Sequence, residues 1–82
     1  MSVKPFFVRA EWDEEASVWV ATSDDVPGLA TEEANMEALI EKLKVIIPEL
    51  LEANGIRIDQ EVLFEVMTRR FEIAHKAQEP NG

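Results

Sequence analysis

The sequence contains no cysteine, so no disulfide can brace the fold and no thiolate can hold a metal ion. Its three glycines, Gly28, Gly55 and Gly82, stand too far apart to form a phosphate-binding loop. No apolar run approaches the roughly 20 residues that a membrane-spanning helix needs. These absences lead us to expect no cofactor, no metal site and no association with a membrane.

Basic residues are also scarce. The chain of 82 residues carries 8 Lys and Arg against 17 Asp and Glu, which gives a formal net charge of −9 at pH 7. Because affinity for phosphate rests on Lys and Arg, we expect no binding of DNA or RNA by this domain alone. The acidity favours a basic protein partner, and the alternative is that it serves solubility only.

The length corresponds to one small domain, near the lower limit for a self-sufficient core. The start of the chain, from Met1 to Pro5, runs directly into a strand-like segment and does not resemble a secretory signal. Together with the absence of cysteine, this predicts a protein of the bacterial cytoplasm.

Two short strands are predicted near the start of the chain. Residues 6–12 alternate apolar and polar side chains, and residues 18–22 are rich in β-branched and aromatic ones. A polar connection joins them into a hairpin, for which two registers are open. Pairing Trp12 with Val18 places Trp19 on the same side as Phe7, and a slip of one residue exchanges the two faces.

A long helix follows a break at Pro27-Gly28 and a short third strand over residues 29–31. Asn35 is the expected N-cap, and Asn54-Gly55 is the expected stop. The apolar stripe runs in phase past Pro48, which predicts one kinked helix rather than two. Leu43 lies in the middle of this stripe and is expected to pack against Val8 and Val20.

The last element is ambiguous from its pattern alone. Residues 62–72 contain an alternation that suits a strand, whereas Leu63, Met67 and Phe71 also share one face of a helix. The Val and Phe content favours a strand to about Arg70. We therefore predict one domain over residues 1–75 and a flexible tail over residues 76–82.

Taken in order, several segments resemble the HicB-like antitoxin superfamily, and more closely a branch of small bacterial proteins that lack the DNA-binding tail. The resemblance spans about residues 4–70. It implies an α+β fold of βββαβ order, with a four-stranded sheet of order 3-2-1-4, one long helix on one face, and a partial RNase H-like architecture. The segments that carry it are Glu11–Asp13, Val18–Ala21, Ser23–Leu29, Thr31-Glu32 and Met36–Glu41.

Proteins of this superfamily hold a small ribonuclease toxin in check, and many bind their own operator through a further DNA-binding segment. Only about a dozen residues follow the fourth predicted strand here, too few for a helix-turn-helix. The resemblance also implies that no nuclease activity survives, because RNase H chemistry needs several carboxylates around divalent metal ions. Glu11 is an isolated carboxylate on the first strand, so we expect a protein that is not an enzyme.

The candidate chemical groups are few, and for each of them we favour a structural role. Asp24 and Asp25 suggest a metal or acid–base pair, but neighbouring residues of an extended chain point to opposite sides, and Asp favours turns. Arg69 and Arg70 are either contacts for a partner's phosphate or carboxylate, or solvated charges beside a strand. His75 has no nucleophile or orienting partner in the pattern and is expected on the surface. We predict no catalytic residue.

One helix covers only one face of a sheet, so the other face is expected to bind a partner. With Trp12 paired to Val18, the uncovered face carries more apolar surface than a monomer exposes comfortably. This predicts a homodimer or higher homo-oligomer, or the binding of a basic toxin; the alternatives are a structural homo-oligomer and a vestigial small-molecule-binding domain. In the other register Trp19 belongs to the core. The predicted interface consists of Phe7, Trp19, Ala21, Leu63 and Met67.

Overall fold

The computed structural model describes residues 4–59 and 61–77. It contains one four-stranded mixed sheet of order β3-β2-β1-β4 and one helix, as the α+β prediction has it. β1 pairs antiparallel with β2 and parallel with β4, and β2 pairs antiparallel with β3. The elements are β1 (Phe6–Asp13), β2 (Val18–Thr22), β3 (Ala30–Glu33), α1 (Met36–Ala53) and β4 (Phe64–Arg69).

The hairpin of β1 and β2 adopts the second of the two registers. Trp12 lies opposite Trp19, and Ala10 lies opposite Ala21. The register that pairs Trp12 with Val18 is therefore wrong. Trp19 and Ala21 share the face that α1 covers, and Ala21 is fully buried there.

The loop between the two strands explains this register. Asp13 pairs with Val18, so the loop holds four residues rather than five. The Asp13 Oδ1 atom accepts a hydrogen bond from the Ala16 N–H at 3.1 Å, which is the way an Asp side chain closes a turn. Ser17 completes the loop with a φ of 56°, in the left-handed region.

The predicted helix forms as one continuous element that includes Pro48. Asn35 caps its start, since the Asn35 side chain accepts a hydrogen bond from the Ala38 N–H at 2.7 Å. At its end, Gly55 takes a φ of 80° and donates its N–H to the Glu52 carbonyl, while Ile56 donates to the Leu51 carbonyl. These two bonds form a Schellman motif, which satisfies carbonyls that the helix leaves free.

The core lies between α1 and one face of the sheet. Leu43 is fully buried there with Val8, as expected, but Val20 lies on the other face, so its predicted contact with Leu43 is wrong. Leu29, predicted as a strand residue, belongs to the core just before β3 begins. The buried residues are Val8, Ala10, Ala21, Val26, Leu29, Leu39, Leu43, Ile47 and Leu51.

β4 is a strand, as predicted, and it lies at one edge of the sheet. Residues 70–77 follow it as exposed chain without helix or strand. Of the predicted tail, only residues 76 and 77 fall within the described residues. Within the same ranges, no helix combines the length and apolar character that crossing a membrane requires.

Candidate functional site

The candidate site is the sheet face opposite α1, called the open face below. Side chains alternate across a strand, so the pairing registers assign each residue to a face. None of the open-face side chains is buried. The open face consists of Phe7, Arg9, Glu11 and Asp13 of β1, Val18, Val20 and Thr22 of β2, Ala30 and Glu32 of β3, and Glu65, Met67 and Arg69 of β4.

Two of the five predicted interface residues lie on the open face: Phe7, which is half-buried, and Met67, which is 54% exposed. Leu63 directly precedes β4 and is exposed to the same degree. The structure places Trp19 and Ala21 on the opposite, helix-covered face, so neither contributes to the open face. Trp19 is half-buried against the core, and its ring meets that of Trp12 edge-to-face at 5.3 Å.

In place of Trp19 and Ala21, β2 presents Val18 and Val20 on the open face. Val20 occupies a central position, opposite Glu11 of β1 on one side and Glu32 of β3 on the other. Sequence reasoning missed this arrangement because it depends wholly on the register. Val20 is half-buried although nothing apolar faces it across either neighbouring strand.

The carboxylates gather toward one end of the open face. Glu11 and Glu32 flank Val20, and the hairpin tip adds three more acidic residues beside them. A shallow, open depression runs between Val20 and this tip. The two guanidinium groups of the open face belong to Arg9 and Arg69, so acidic charge prevails. We call this region the acidic end; it consists of Glu11, Asp13, Glu14, Glu15 and Glu32.

Asp24 and Asp25 stand at the other end of β1 and do not converge. The Asp25 Oδ2 atom accepts a hydrogen bond from the Phe7 N–H at 2.8 Å. Asp24 is nearly fully exposed and lies 3.8 Å from the Arg9 guanidinium. Ser23 Oγ donates to the Phe7 carbonyl and accepts from the N–H groups of Asp25 and Val26. The segment therefore fastens a loop to β1 and does not form a metal or acid–base pair.

This difference between neighbours makes a testable pair of variants. We expect Asp25→Ala to lower the free energy of unfolding by about 1 kcal/mol, because the Phe7 N–H loses its acceptor. Asp24→Ala removes only an exposed ion pair and is expected to change it by less than about 0.5 kcal/mol. Urea unfolding of both variants measures the difference, and equal losses would contradict the role assigned to Asp25.

The adjacent arginines rest on aromatic rings. The Arg70 guanidinium lies 4.7 Å from the centre of the Trp12 ring, and that of Arg69 lies 4.9 Å from the centre of the Phe71 ring. Arg70 also forms an ion pair with Glu72. Neither contact was predicted, since a strand pattern does not reveal which rings lie beside it. His75 is exposed, as expected.

The described residues hold their titratable groups at the surface. In residues 4–59 and 61–77, no group of three or more His, Asp or Glu side chains could hold a metal ion. No polar or charged residue of that part is buried. What the open face offers is apolar area on β-strands, bordered by carboxylates.

Comparison with known proteins relates this chain to a family and to a solved structure. The crystal structure of the hypothetical protein TTHA1013, from the extremely thermophilic bacterium Thermus thermophilus, is 47% identical in sequence. The similarity covers 88% of this chain and 99% of that chain, with a TM-score of 0.68. No curated protein matches, and neither result provides a link to HicB-like antitoxins. The model of a domain of unknown function, DUF1902, matches residues 5–75, and the chain belongs to that family.

Proposed function

We propose that this protein is a non-catalytic interaction module whose open face binds a basic protein partner. The observation that carries the proposal is the position of Val20, an apolar side chain at the centre of the sheet between the carboxylates of Glu11 and Glu32. Interfaces combine an apolar centre with a polar rim in this way. The rim here is acidic, so the partner's contact surface is basic.

The distribution of charge supports a protein rather than a nucleic acid as the partner. With a net charge of −9, the chain repels phosphate in general, and the acidic end concentrates carboxylates beside Val20. Complementary charge speeds the encounter with a basic protein and disfavours acidic competitors. Binding to this surface is therefore expected to weaken as salt increases.

A more specific form of the proposal follows from the resemblance of the sequence to HicB-like antitoxins. In that form the partner is a small basic ribonuclease toxin of the same bacterial cytoplasm, and the module restrains it by contact. An acidic open face complements such a toxin, since a ribonuclease needs basic residues to hold RNA. The broader proposal of a basic partner stands without this identification.

The test compares two double variants with the same change of charge. Glu11→Lys with Glu32→Lys reverses the charges beside Val20, whereas Glu49→Lys with Glu52→Lys reverses exposed charges near the end of α1. Each tagged protein is used to recover partners from cells of the source organism. Thermal unfolding checks that both variants fold.

We expect the wild type and the α1 variant to retain one and the same basic protein, and the open-face variant to lose it. Calorimetric titration of that purified protein should give an affinity weaker by about tenfold or more for the open-face variant. Equal affinities for the two variants would overturn the proposal, as would recovery of no basic protein by the wild type.

A further inference from the structure

The outer edge of β4 carries backbone groups to which the described residues provide no backbone partner. The Leu63 carbonyl accepts a hydrogen bond from the Phe6 N–H at 2.9 Å, so Leu63 and the residues in phase with it direct their peptide groups toward β1. The peptide groups of Phe64, Val66 and Thr68 therefore point the other way. Within the described residues, no strand lies on that side of β4.

This edge lacks two of the features that protect many sheet edges, namely Lys or Pro within the strand and a covering segment beyond it. β4 contains neither Lys nor Pro, and the residues beyond it continue as exposed chain. Leu63 and Met67 are each 54% exposed, and Phe71 is 78% exposed. Along this edge, large apolar side chains thus recur every fourth residue, with Glu65 and Arg69 between them.

We propose that β4 pairs antiparallel with β4 of a second copy of this chain, about a two-fold axis at Met67. In that register Met67 meets the partner's Met67, and Glu65 meets the partner's Arg69. Leu63 meets the partner's Phe71. Each of the three apolar side chains thus gains an apolar neighbour. Glu65 and Arg69 each gain a neighbour of opposite charge.

Neighbouring registers lack this complementarity. With the axis at Thr68, Glu65 lies opposite the partner's Phe71, and Met67 lies opposite the partner's Arg69. With the axis at Arg69, two guanidinium groups face each other across the axis, which is unfavourable. A symmetric antiparallel pair is thus specified by the alternation of charge and apolar residues along this one strand.

The backbone orientation fits the same register. Val66 and the partner's Thr68 both direct their peptide groups to the free edge, so these residues form the hydrogen-bonded pairs. The pairs at Met67 and between Glu65 and the partner's Arg69 are the non-hydrogen-bonded ones, in which side chains lie closest. Segment 70–72, unpaired in the protomer, gains a neighbour in segment 62–64 of the partner subunit.

The inference is independent of the proposed function, because the pairing leaves the acidic end exposed in both copies. An antiparallel pair about this axis places the two open faces on the same side of one continuous sheet. A basic partner that reaches across the axis would then meet two acidic ends. The charge variants at Glu11 and Glu32 leave the pairing edge unchanged. A negative result for the basic partner therefore does not bear on the pairing of β4, and the reverse also holds.

Cysteine cross-linking tests the register directly, because the natural chain has no cysteine. Directly opposite non-hydrogen-bonded residues have Cα atoms about 4.5 Å apart, within the range that a disulfide spans. We expect Met67→Cys to form a covalent dimer under mild oxidation. Glu65→Cys alone and Arg69→Cys alone should not cross-link, whereas a mixture of the two should.

Charge exchange provides a second measurement that does not depend on oxidation. The wild type should have the mass of a dimer by light scattering at high micromolar concentration, and Glu65→Arg should shift it to the monomer mass. Adding Arg69→Glu to that variant should restore the dimer. A monomeric wild type overturns the inference, and so does a dimer that Met67→Cys fails to cross-link, since its copies would meet elsewhere.

Discussion

Leu43→Ala is expected to lower the free energy of unfolding by about 2–5 kcal/mol, as large-to-small changes in a packed core do. Leu43 is fully buried in the middle of the α1 stripe, in the same cluster as Val8. The substitution removes buried methyl groups and leaves a cavity that a rigid sheet cannot close. In a domain of this size, such a loss consumes a large fraction of the total stability.

Urea denaturation followed by circular dichroism measures this loss. Val45→Ala is the matched control, because Val45 lies on the same helix but is 60% exposed. We expect its midpoint to stay close to that of the wild type, since alanine favours helix and little apolar area is lost. If both variants unfolded at the same urea concentration as the wild type, Leu43 would not occupy the core.

Trp19→Ala is expected to destabilise the protomer by about 3 kcal/mol, toward the lower end of the range for truncating a large aromatic side chain. Trp19 lies on the face that α1 covers, packs against the core and meets Trp12 edge-to-face. The substitution therefore removes core packing and an aromatic pair. An interface position would predict the reverse, namely a loss of self-association with little change in the stability of the protomer.

Two measurements on one protein separate these outcomes. Thermal unfolding should show the loss of stability, while light scattering below the melting temperature should give the wild-type mass. Val18→Ala, at the neighbouring residue on the open face, should cost much less, because it removes only two methyl groups from a side chain that does not pack against the core. A Trp19→Ala protein that is as stable as the wild type but dissociated would return Trp19 to the interface.

Element types were largely predictable, because each follows from local pattern. The alternation over β1, the Asn35 cap and the Gly55 stop each reflect a local backbone or side-chain preference that the surroundings do not override. The competing helical interpretation of β4 failed for a tertiary reason. Residues 64–69 pair with the inner strand β1, and this pairing places Phe64 and Val66 on the face that α1 covers, where they pack against the core.

The register of the hairpin could not be decided from periodicity. β2 has apolar side chains on both faces, Val18 and Val20 on one and Trp19 and Ala21 on the other, so either set could enter the core. The information lay instead in Asp13, which closes the four-residue loop through its side chain. Asp before a tight loop is a turn signal, and weighing it would have favoured the observed pairing.

Only part of the open face could be predicted from the sequence, because its composition depends on the same hairpin register. The alternation in β1 places Phe7 on the open face, and the pairing of β4 with β1 places Met67 on the same face. The positions of these two residues could therefore be predicted from the sequence. The acidic setting of Val20 requires the pairing of three strands at once. The contact of Arg70 with Trp12 requires the course of the chain beyond β4, which no local pattern describes.

The parallel pairing of β1 with β4 has a consequence for the order of folding. Phe6 pairs with Phe64, 58 positions later, whereas β1, β2 and β3 are joined by short connections. Closing the longest loop costs the most chain entropy, so contacts of β4 are expected to form after the three-stranded meander and α1 have come together. During synthesis, β1 is thus exposed along one side until β4 has left the ribosome, and this sheet is complete only from that point on.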